Sequence, residues 1–205
     1  MRRILLLGLA MLAAACGRPT TEVYSRHPLL APAEGGPRLK PGLWRWDSGD
    51  CAFDEAKPSG SWPACVVPVV VRADEILTAA SGDAVLREGY VLADGRPMIL
   101  QVQLRLEPPP DPVEQQYFGV RPTLVDGQVV AMERWPVTCT PSPKGGAQTD
   151  NAAPTPRPSL IKGLSVGDDG RCLTGSRDQL RAAVIASEGW TADRQRLRWV
   201  RSAEQ

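Results

Sequence analysis

Residues 98–106 read Met-Ile-Leu-Gln-Val-Gln-Leu-Arg-Leu, and this stretch decides the fold class. Apolar side chains recur at every second position, and the intervening positions are mostly polar. Because alternate side chains of a strand point to opposite faces, the pattern predicts a half-buried antiparallel β-strand. One face then holds Met98, Leu100, Val102, Leu104 and Leu106, and the other holds Ile99, Gln101, Gln103, Arg105 and Glu107.

Two hairpins extend from this strand. The run Tyr90-Val91-Leu92 and the turn Asp94-Gly95 precede it, which predicts a β-hairpin over residues 87–106. A second hairpin is predicted from Tyr117–Val125, the turn Asp126-Gly127 and Gln128–Trp135. Three consecutive prolines at 108–110 separate the two hairpins.

Three further segments have strand character. Val66–Val71 is apolar but interrupted by Pro68, which predicts an edge strand or a bulge. In 43–46 the two tryptophans, Trp44 and Trp46, share one side of a strand, which favours core or rim packing over a ligand platform. Arg196–Val200 is the predicted last strand.

One helix is predicted near the carboxyl end. Ser176 is placed as N-cap with Gln179 as the partner of a capping box, and Gly189 is placed at the C′ position. The small residues of one face suit packing on a sheet: Leu180, Ala183, Val184 and Ser187.

These elements predict a mainly antiparallel β domain of the α+β type over residues 41–205. We expect six to eight strands in a sandwich or a small barrel, with one C-terminal helix packed on it. A proline-rich stretch at 140–158 is expected to form an exposed loop inside this domain.

The amino terminus has the organisation of an export signal. Arg2 and Arg3 precede an apolar run that ends at Leu12, shorter than the roughly 20 residues that span a bilayer. The string Leu12-Ala13-Ala14-Ala15-Cys16 resembles the lipobox of bacterial lipoproteins, although leucine usually stands at the position of Ala13. An ordinary signal peptide cut after Ala15 is the alternative.

The resemblance implies that residues 1–15 are removed and that Cys16 is acylated. The protein would then be anchored in the membrane of the cell envelope, and Gly17 favours the outer membrane, facing the periplasm. Residues 16–40 carry four prolines and a Gly-Gly pair without apolar periodicity, which predicts a flexible tether.

Four cysteines remain beyond Cys16, an even number that suits disulfides in an oxidising compartment. They are Cys51, Cys65, Cys139 and Cys172. Three pairings are open, and the local one joins Cys51 to Cys65 and Cys139 to Cys172. A four-thiolate zinc site is disfavoured, because structural zinc cysteines usually occur as pairs two to four residues apart.

Charge and composition exclude several functions. The chain carries 24 Lys and Arg against 23 Asp and Glu, without the basic excess expected of a nucleic-acid binder. The one histidine, His27, lies in the predicted tether, so histidine-based triads and histidine-ligated zinc catalysis have no base or ligands in the domain. We predict no catalytic residues, no metal and no cofactor.

Two weaker catalytic patterns occur in the sequence. Ser159–Lys162 matches the S-x-x-K pattern of penicillin-binding enzymes, but its companion segments are missing, so we interpret it as a chance match. Acidic residues surround Cys51 and offer paired carboxylates for glycoside chemistry or oxygen ligands for calcium, although a solvated loop is favoured. They are Asp47, Asp50, Asp54 and Glu55.

Three function classes stay open at this point. The first is a non-catalytic envelope module that contacts another envelope protein or the cell wall. The second is a carrier whose strands close around an apolar ligand or lipid, as in lipoproteins that ferry lipids between membranes. The third is a carboxylate-based hydrolase of envelope glycans.

Overall fold

A computed structural model describes residues 22–32, 36–46, 51–79, 85–104, 114–140, 161–167, 171–190 and 194–202. These ranges contain twelve strands and one α-helix, α1 (Arg177–Trp190). The strands are β1 (Val23–Ser25), β2 (Arg38–Leu39), β3 (Gly42–Trp46), β4 (Pro68–Val71), β5 (Glu75–Ala79), β6 (Val85–Ala93), β7 (Met98–Leu104), β8 (Gln115–Val125), β9 (Gln128–Pro136), β10 (Ser165–Val166), β11 (Cys172–Leu173) and β12 (Gln195–Arg201).

Eight of these strands close into an antiparallel barrel. Strands β3 to β9 follow one another in a meander, each paired with the next. Strand β12 then pairs with both β9 and β3, which joins the two edges of the meander. The predicted mainly β fold is confirmed, and of the two architectures left open the structure has the barrel.

Both predicted hairpins are present. Strands β6 and β7 are joined through residues 94–97, and β8 and β9 are joined through Asp126 and Gly127. Those two turn residues have φ angles of 50° and 74°, the left-handed conformation that a two-residue type I′ turn requires. The Asp-Gly pair is therefore the local cause of the tight β8–β9 connection.

Apolar side chains fill much of the barrel interior. Trp44 and Trp46 share the inward side of β3, as predicted; Trp44 is fully buried and Trp46 packs against the cluster. Paired residues on neighbouring strands point to the same side of the sheet, so the inward apolar side chains form one continuous cluster across the barrel interior. It includes Trp44, Val69, Val71, Ile76, Leu92, Met98, Leu100, Val102, Phe118, Val120, Met132 and Leu197.

Helix α1 packs on the outside of the barrel. Its buried residues are the four predicted ones, and Leu180, Ala183 and Val184 belong to one apolar cluster with the outward side chains Ile99, Tyr117 and Trp135. Ile99 and Gln101 are consequently only 1% and 3% exposed. The prediction that β7 is half-buried is wrong for these positions, because elements distant in sequence cover its outer face.

The helix ends differ from the predicted caps. The Ser176 hydroxyl accepts the Asp178 N–H at 3.3 Å, but the Ser176 N–H is directed to the Thr174 hydroxyl and not to Gln179. At the other end the helix continues through Gly189 to Trp190, so Gly189 is not at C′.

The amino-terminal boundary also differs from the predicted tether at 16–40. Strand β1 lies between β8 and β11, and Val23 is fully buried. Leu39 of β2 is buried against the barrel core as well. Strands this short, which pair with strands distant in sequence, leave no periodic signal, so the local pattern predicts a linker. Residues 1–21 lie outside the described residues.

Strand β4 is not an edge strand, contrary to the prediction from Pro68. It pairs with β3 on one side and β5 on the other. Pro68 is its first residue, a position where the missing N–H removes little from the ladder.

Both local disulfides are present, Cys51–Cys65 and Cys139–Cys172, with Cα–Cα distances of 6.1 and 6.2 Å. The first closes a loop over residues 51–65. Residues 51–67 form a strap against the outer wall, where Trp62 and Val66 pack on Leu43. The second lies fully buried beneath α1. Of the predicted loop at 140–158, only Thr140 belongs to the described residues, and it is buried. In the described ranges no helix has both the length and the apolarity to cross a membrane.

Candidate functional site

Polar side chains enter the barrel interior at one end, which we call the mouth. This is the end where β3 and β9 finish and where β6, β8 and β12 begin. Five inward residues lie within four positions of those strand ends: Trp46, Glu88, Phe118, Arg134 and Gln195. The opposite end carries the short β6–β7 and β8–β9 turns, so the two ends of the barrel differ in character.

Arg134 is held between two aromatic rings. Its guanidinium carbon lies 4.1 Å from the centre of the Trp46 ring and 4.3 Å from the centre of the Phe118 ring. Its Nε donates a hydrogen bond to the Gln195 side-chain oxygen at 2.9 Å. Cation–π contacts and a fixed Nε therefore restrict the plane of the charged group.

Glu88 brings the opposite charge into the interior from β6. Its cross-strand partner on β5 is Ile76, so its neighbour on that side along the wall is apolar. Burial raises the pKa of Glu88, and the positive charge of Arg134 acts in the opposite direction with the smaller effect. The carboxyl group of Glu88 and the guanidinium of Arg134 therefore interact electrostatically inside the barrel.

Below this polar layer the interior is apolar. Leu100 and Val120 are fully buried, and Phe118 is 8% exposed at the boundary between the layers. Eight-stranded barrels are just wide enough for side chains to fill or for one small ligand to occupy. The arrangement suits a small molecule bound at the mouth above an apolar floor.

Sequence reasoning missed this site, although a signal is present. Glu88 stands in the same alternating phase as Tyr90 and Leu92, and Arg134 stands in phase with Met132, so each is a charge on the inward face of its strand. Which charges meet depends on how the barrel closes, and that information is not local.

The predicted acidic cluster is only partly described. Asp47 and Asp50 lie outside the described residues, and Asp54 accepts the N–H of Ala56 in the strap. Glu55 forms ion pairs with Arg45 at 3.4 Å and with Arg198. Because Arg45 and Arg198 are directly opposite each other on β3 and β12, Glu55 separates two like charges and ties the strap to the wall.

The remaining sequence candidates that the structure describes do not belong to the mouth. His27 is exposed, and Lys162 of the S-x-x-K pattern is exposed, while Ser159 and Cys16 lie outside the described residues. Among the described residues no group of three or more His, Cys, Asp or Glu side chains is placed to hold a metal ion.

Among the cavities that the described residues line, two open on the outside of the barrel. One, of about 950 Å³, lies between the strap and the wall and is lined by Leu43, Pro58, Val71 and Arg72. The other, of about 410 Å³, lies near the start of α1 beside His27 and Thr174. Neither includes the residues of the mouth.

Comparison of the chain with models of protein families, with curated proteins and with solved structures finds no match. The site must therefore be interpreted from its own chemistry.

Proposed function

We propose that this protein is a non-catalytic binding module of a bacterial cell envelope, anchored through Cys16, whose ligand binds at the barrel mouth. The observation that carries the proposal is the guanidinium of Arg134, clamped between Trp46 and Phe118 inside the barrel. Ligand sites are typically concave and apolar with a few placed polar groups, and the mouth has that composition.

The compartment part of the proposal has separate support. The lipobox-like string before Cys16 favours acylation and an outer-membrane anchor facing the periplasm. The two disulfides suit an oxidising compartment. Several acyl chains would make the anchor stable, since each buried methylene contributes about 0.8 kcal/mol.

The carrier and hydrolase alternatives have less support. The core side chains below the mouth pack against one another, which favours a small ligand over a long apolar chain. Glu55, the acidic residue best placed by the structure, is occupied by two arginines on the outer wall.

The binding proposal is tested with a panel of small anionic, cationic, zwitterionic and neutral solutes in saturation-transfer NMR. At least one solute should bind the full-length protein and the control variant Arg196→Gln, whose side chain is exposed on β12. The same solute should lose binding to Arg134→Gln. Binding that survives in Arg134→Gln, or no binding of any class, would overturn the proposal.

The anchor is tested by mass spectrometry of the protein isolated from bacterial membranes. We expect an acylated Cys16 as the first residue and release of a Cys16→Ser variant from the membrane fraction. An intact Met1, or an unmodified Cys16, would overturn this part.

A further inference from the structure

The cavity of about 950 Å³ between the strap and the outer wall combines an apolar floor with an exposed arginine. We propose that this cavity binds a fatty acid, with the carboxylate on Arg72 and the alkyl chain on the wall beside the strap. The cavity shares no lining residue with the mouth, so this inference goes beyond the proposed function and does not depend on it.

The first step concerns the floor of the cavity. Leu43 lies opposite Val70, and Val70 lies opposite Leu77, so one row of apolar side chains crosses β3, β4 and β5. The row faces outward, because the alternate residues Val69 and Ile76 belong to the interior cluster. Val70 and Leu77 remain partly exposed. Three neighbouring strands span about 10 Å, so the row offers an alkyl chain a continuous apolar surface.

The second step concerns the strap, which forms one side of the cavity through residues 58–60. The guanidinium of Arg201, at the end of β12, donates hydrogen bonds to the backbone carbonyls of Glu55 and Lys57. The Cys51–Cys65 disulfide closes the loop that contains these residues. The strap is therefore fixed on the wall without a ligand, and a preformed cavity lowers the cost of ordering on binding.

The third step concerns charge. Among the described residues that line the cavity, the only charged ones are Arg72 and Arg201, and none is acidic. Arg201 is bonded to the strap, whereas no hydrogen bond or ion pair engages the exposed Arg72 side chain in the described part of the chain. Charge complementarity therefore favours an anion, and a carboxylate can accept two parallel N–H bonds from a guanidinium.

The fourth step concerns the arrangement of charge and apolar surface. Arg72 directly follows the last residue of β4, and its backbone N–H donates to the Glu75 carbonyl at 2.8 Å. The paired residues Val70 and Leu77 lie further along the two strands, so the charge is at one end of the apolar row. A ligand with one anionic end and one apolar chain matches both parts. The cavity volume of about 950 Å³ lies within the usual range for small-molecule sites.

The experiment titrates the full-length protein by calorimetry with decanoate, decyltrimethylammonium, decyl glucoside and acetate, each below the concentration at which it forms micelles. Decanoate should bind at least about tenfold more tightly than the other three. The cationic and neutral amphiphiles lose the charge-assisted bond to Arg72, and acetate loses the burial of the alkyl chain.

Two variants separate the charge from the floor. Arg72→Gln should weaken decanoate binding at least about tenfold and leave decyl glucoside binding unchanged. Leu77→Ser should weaken the binding of both ligands, because the floor loses apolar area. The matched controls are Arg196→Gln, at an exposed arginine of β12, and Leu124→Ser, at a leucine of β8 that is 48% exposed. Both controls should bind decanoate as the unaltered protein does.

The outcomes also separate this cavity from the mouth. Equal binding of decanoate and decyltrimethylammonium, or unchanged decanoate binding in Arg72→Gln, would show that the fatty-acid assignment is wrong. If Arg134→Gln abolishes decanoate binding and Arg72→Gln does not, the fatty acid occupies the mouth and the cavity is not its site. If decanoate does not bind at all, this inference fails, while the test of the mouth with small solutes keeps its own outcome.

Discussion

Gly119 shows how one residue can set the packing of the outer wall. It lies on β8 directly opposite Trp135 of β9, and a β-carbon built at this glycine would lie 2.3 Å from the buried indole ring. We expect Gly119→Ala to displace Trp135 and to lower the free energy of unfolding by about 1–3 kcal/mol, the usual cost of overpacking. Chemical denaturation monitored by near-ultraviolet circular dichroism measures both effects.

A matched control for Gly119 is available in α1. No atom lies within 4 Å of a β-carbon built at Gly189, which is exposed inside the helix. Gly189→Ala should therefore raise the free energy of unfolding by about 0.8–1 kcal/mol through helix propensity. Equal destabilisation by the two alanines would show that the indole contact is not the cause.

Glu88 is the residue at which stability and pH are linked. Its pKa in the folded protein is raised above the ordinary value of 4.5, mainly by burial. Between 4.5 and the raised pKa, the unfolded chain has released a proton that the folded protein still holds. Stability must then fall as the pH rises through this window, and it stays lower above it.

We therefore expect Glu88→Gln to raise the melting temperature at neutral pH and to leave it unchanged well below pH 4.5, where the carboxyl group is protonated in both states. Thermal unfolding across this pH range tests the sign. The control Glu75→Gln removes a carboxylate that pairs with Arg87 on the surface and should change stability by at most about 1 kcal/mol. A melting temperature that falls in Glu88→Gln at neutral pH would contradict burial as the main cause.

Among the elements, the segment at 26–32 is held on β7 by the Gln101 side chain. The Gln101 oxygen accepts the N–H groups of Leu29 and Leu30, both at 3.0 Å, and its amide donates to the Leu30 carbonyl at 3.4 Å. Gln101→Leu leaves these groups without their partner, which costs about 1–3 kcal/mol for a buried donor. We expect faster hydrogen exchange at Leu29 and Leu30.

Gln103 provides the control for this element. It lies two residues further along the same face of β7 and is less buried than Gln101. Gln103→Leu should leave exchange at Leu29 and Leu30 unchanged. Faster exchange in both variants would indicate a general loosening of β7 and not the loss of the Gln101 bonds.

The elements also show what the sequence could predict and what it could not. Turn chemistry and alternation located the two hairpins, and a helical period located the buried face of α1, because these signals are local. The strand pairs that close the barrel join residues far apart in the chain, such as Arg198 and Arg45. No local pattern encodes such a pair, so barrel and sandwich remained equivalent alternatives.

The same limit applies to the covered outer face and to the site. The alternating pattern of β7 predicts that Gln101 faces solvent, but the segment that contains Leu29 and Leu30 covers it. Glu88 and Arg134 are recognisable as charges in apolar phase, but only barrel closure brings them together. The pairing of the four cysteines could not be predicted for the same reason, because their spacing along the chain does not select one of the three possible pairings.

For the molecule as a whole, the two disulfides should contribute unequally. Cys139 and Cys172 are fully buried in the outer core that joins α1, β1 and β11 to the barrel. Their sequence separation is 33 residues. The Cys51–Cys65 disulfide has a sequence separation of 14 residues and holds only the strap, and Cys65 is exposed. Loop closure gives each bridge about 3–4 kcal/mol, but the buried pair also fills core volume, and its loss leaves a cavity.

The double variant Cys139→Ala with Cys172→Ala should therefore lose more stability than Cys51→Ala with Cys65→Ala, by about 1–2 kcal/mol for the cavity alone. Urea unfolding of both variants measures the difference, and far-ultraviolet circular dichroism checks that the barrel is retained. We expect the strap variant to keep the mouth intact, because the strap contacts the outer wall and the site faces inward. Equal losses would show that the outer core relaxes around the missing bridge, and the Cys139–Cys172 pair would then act by loop closure alone.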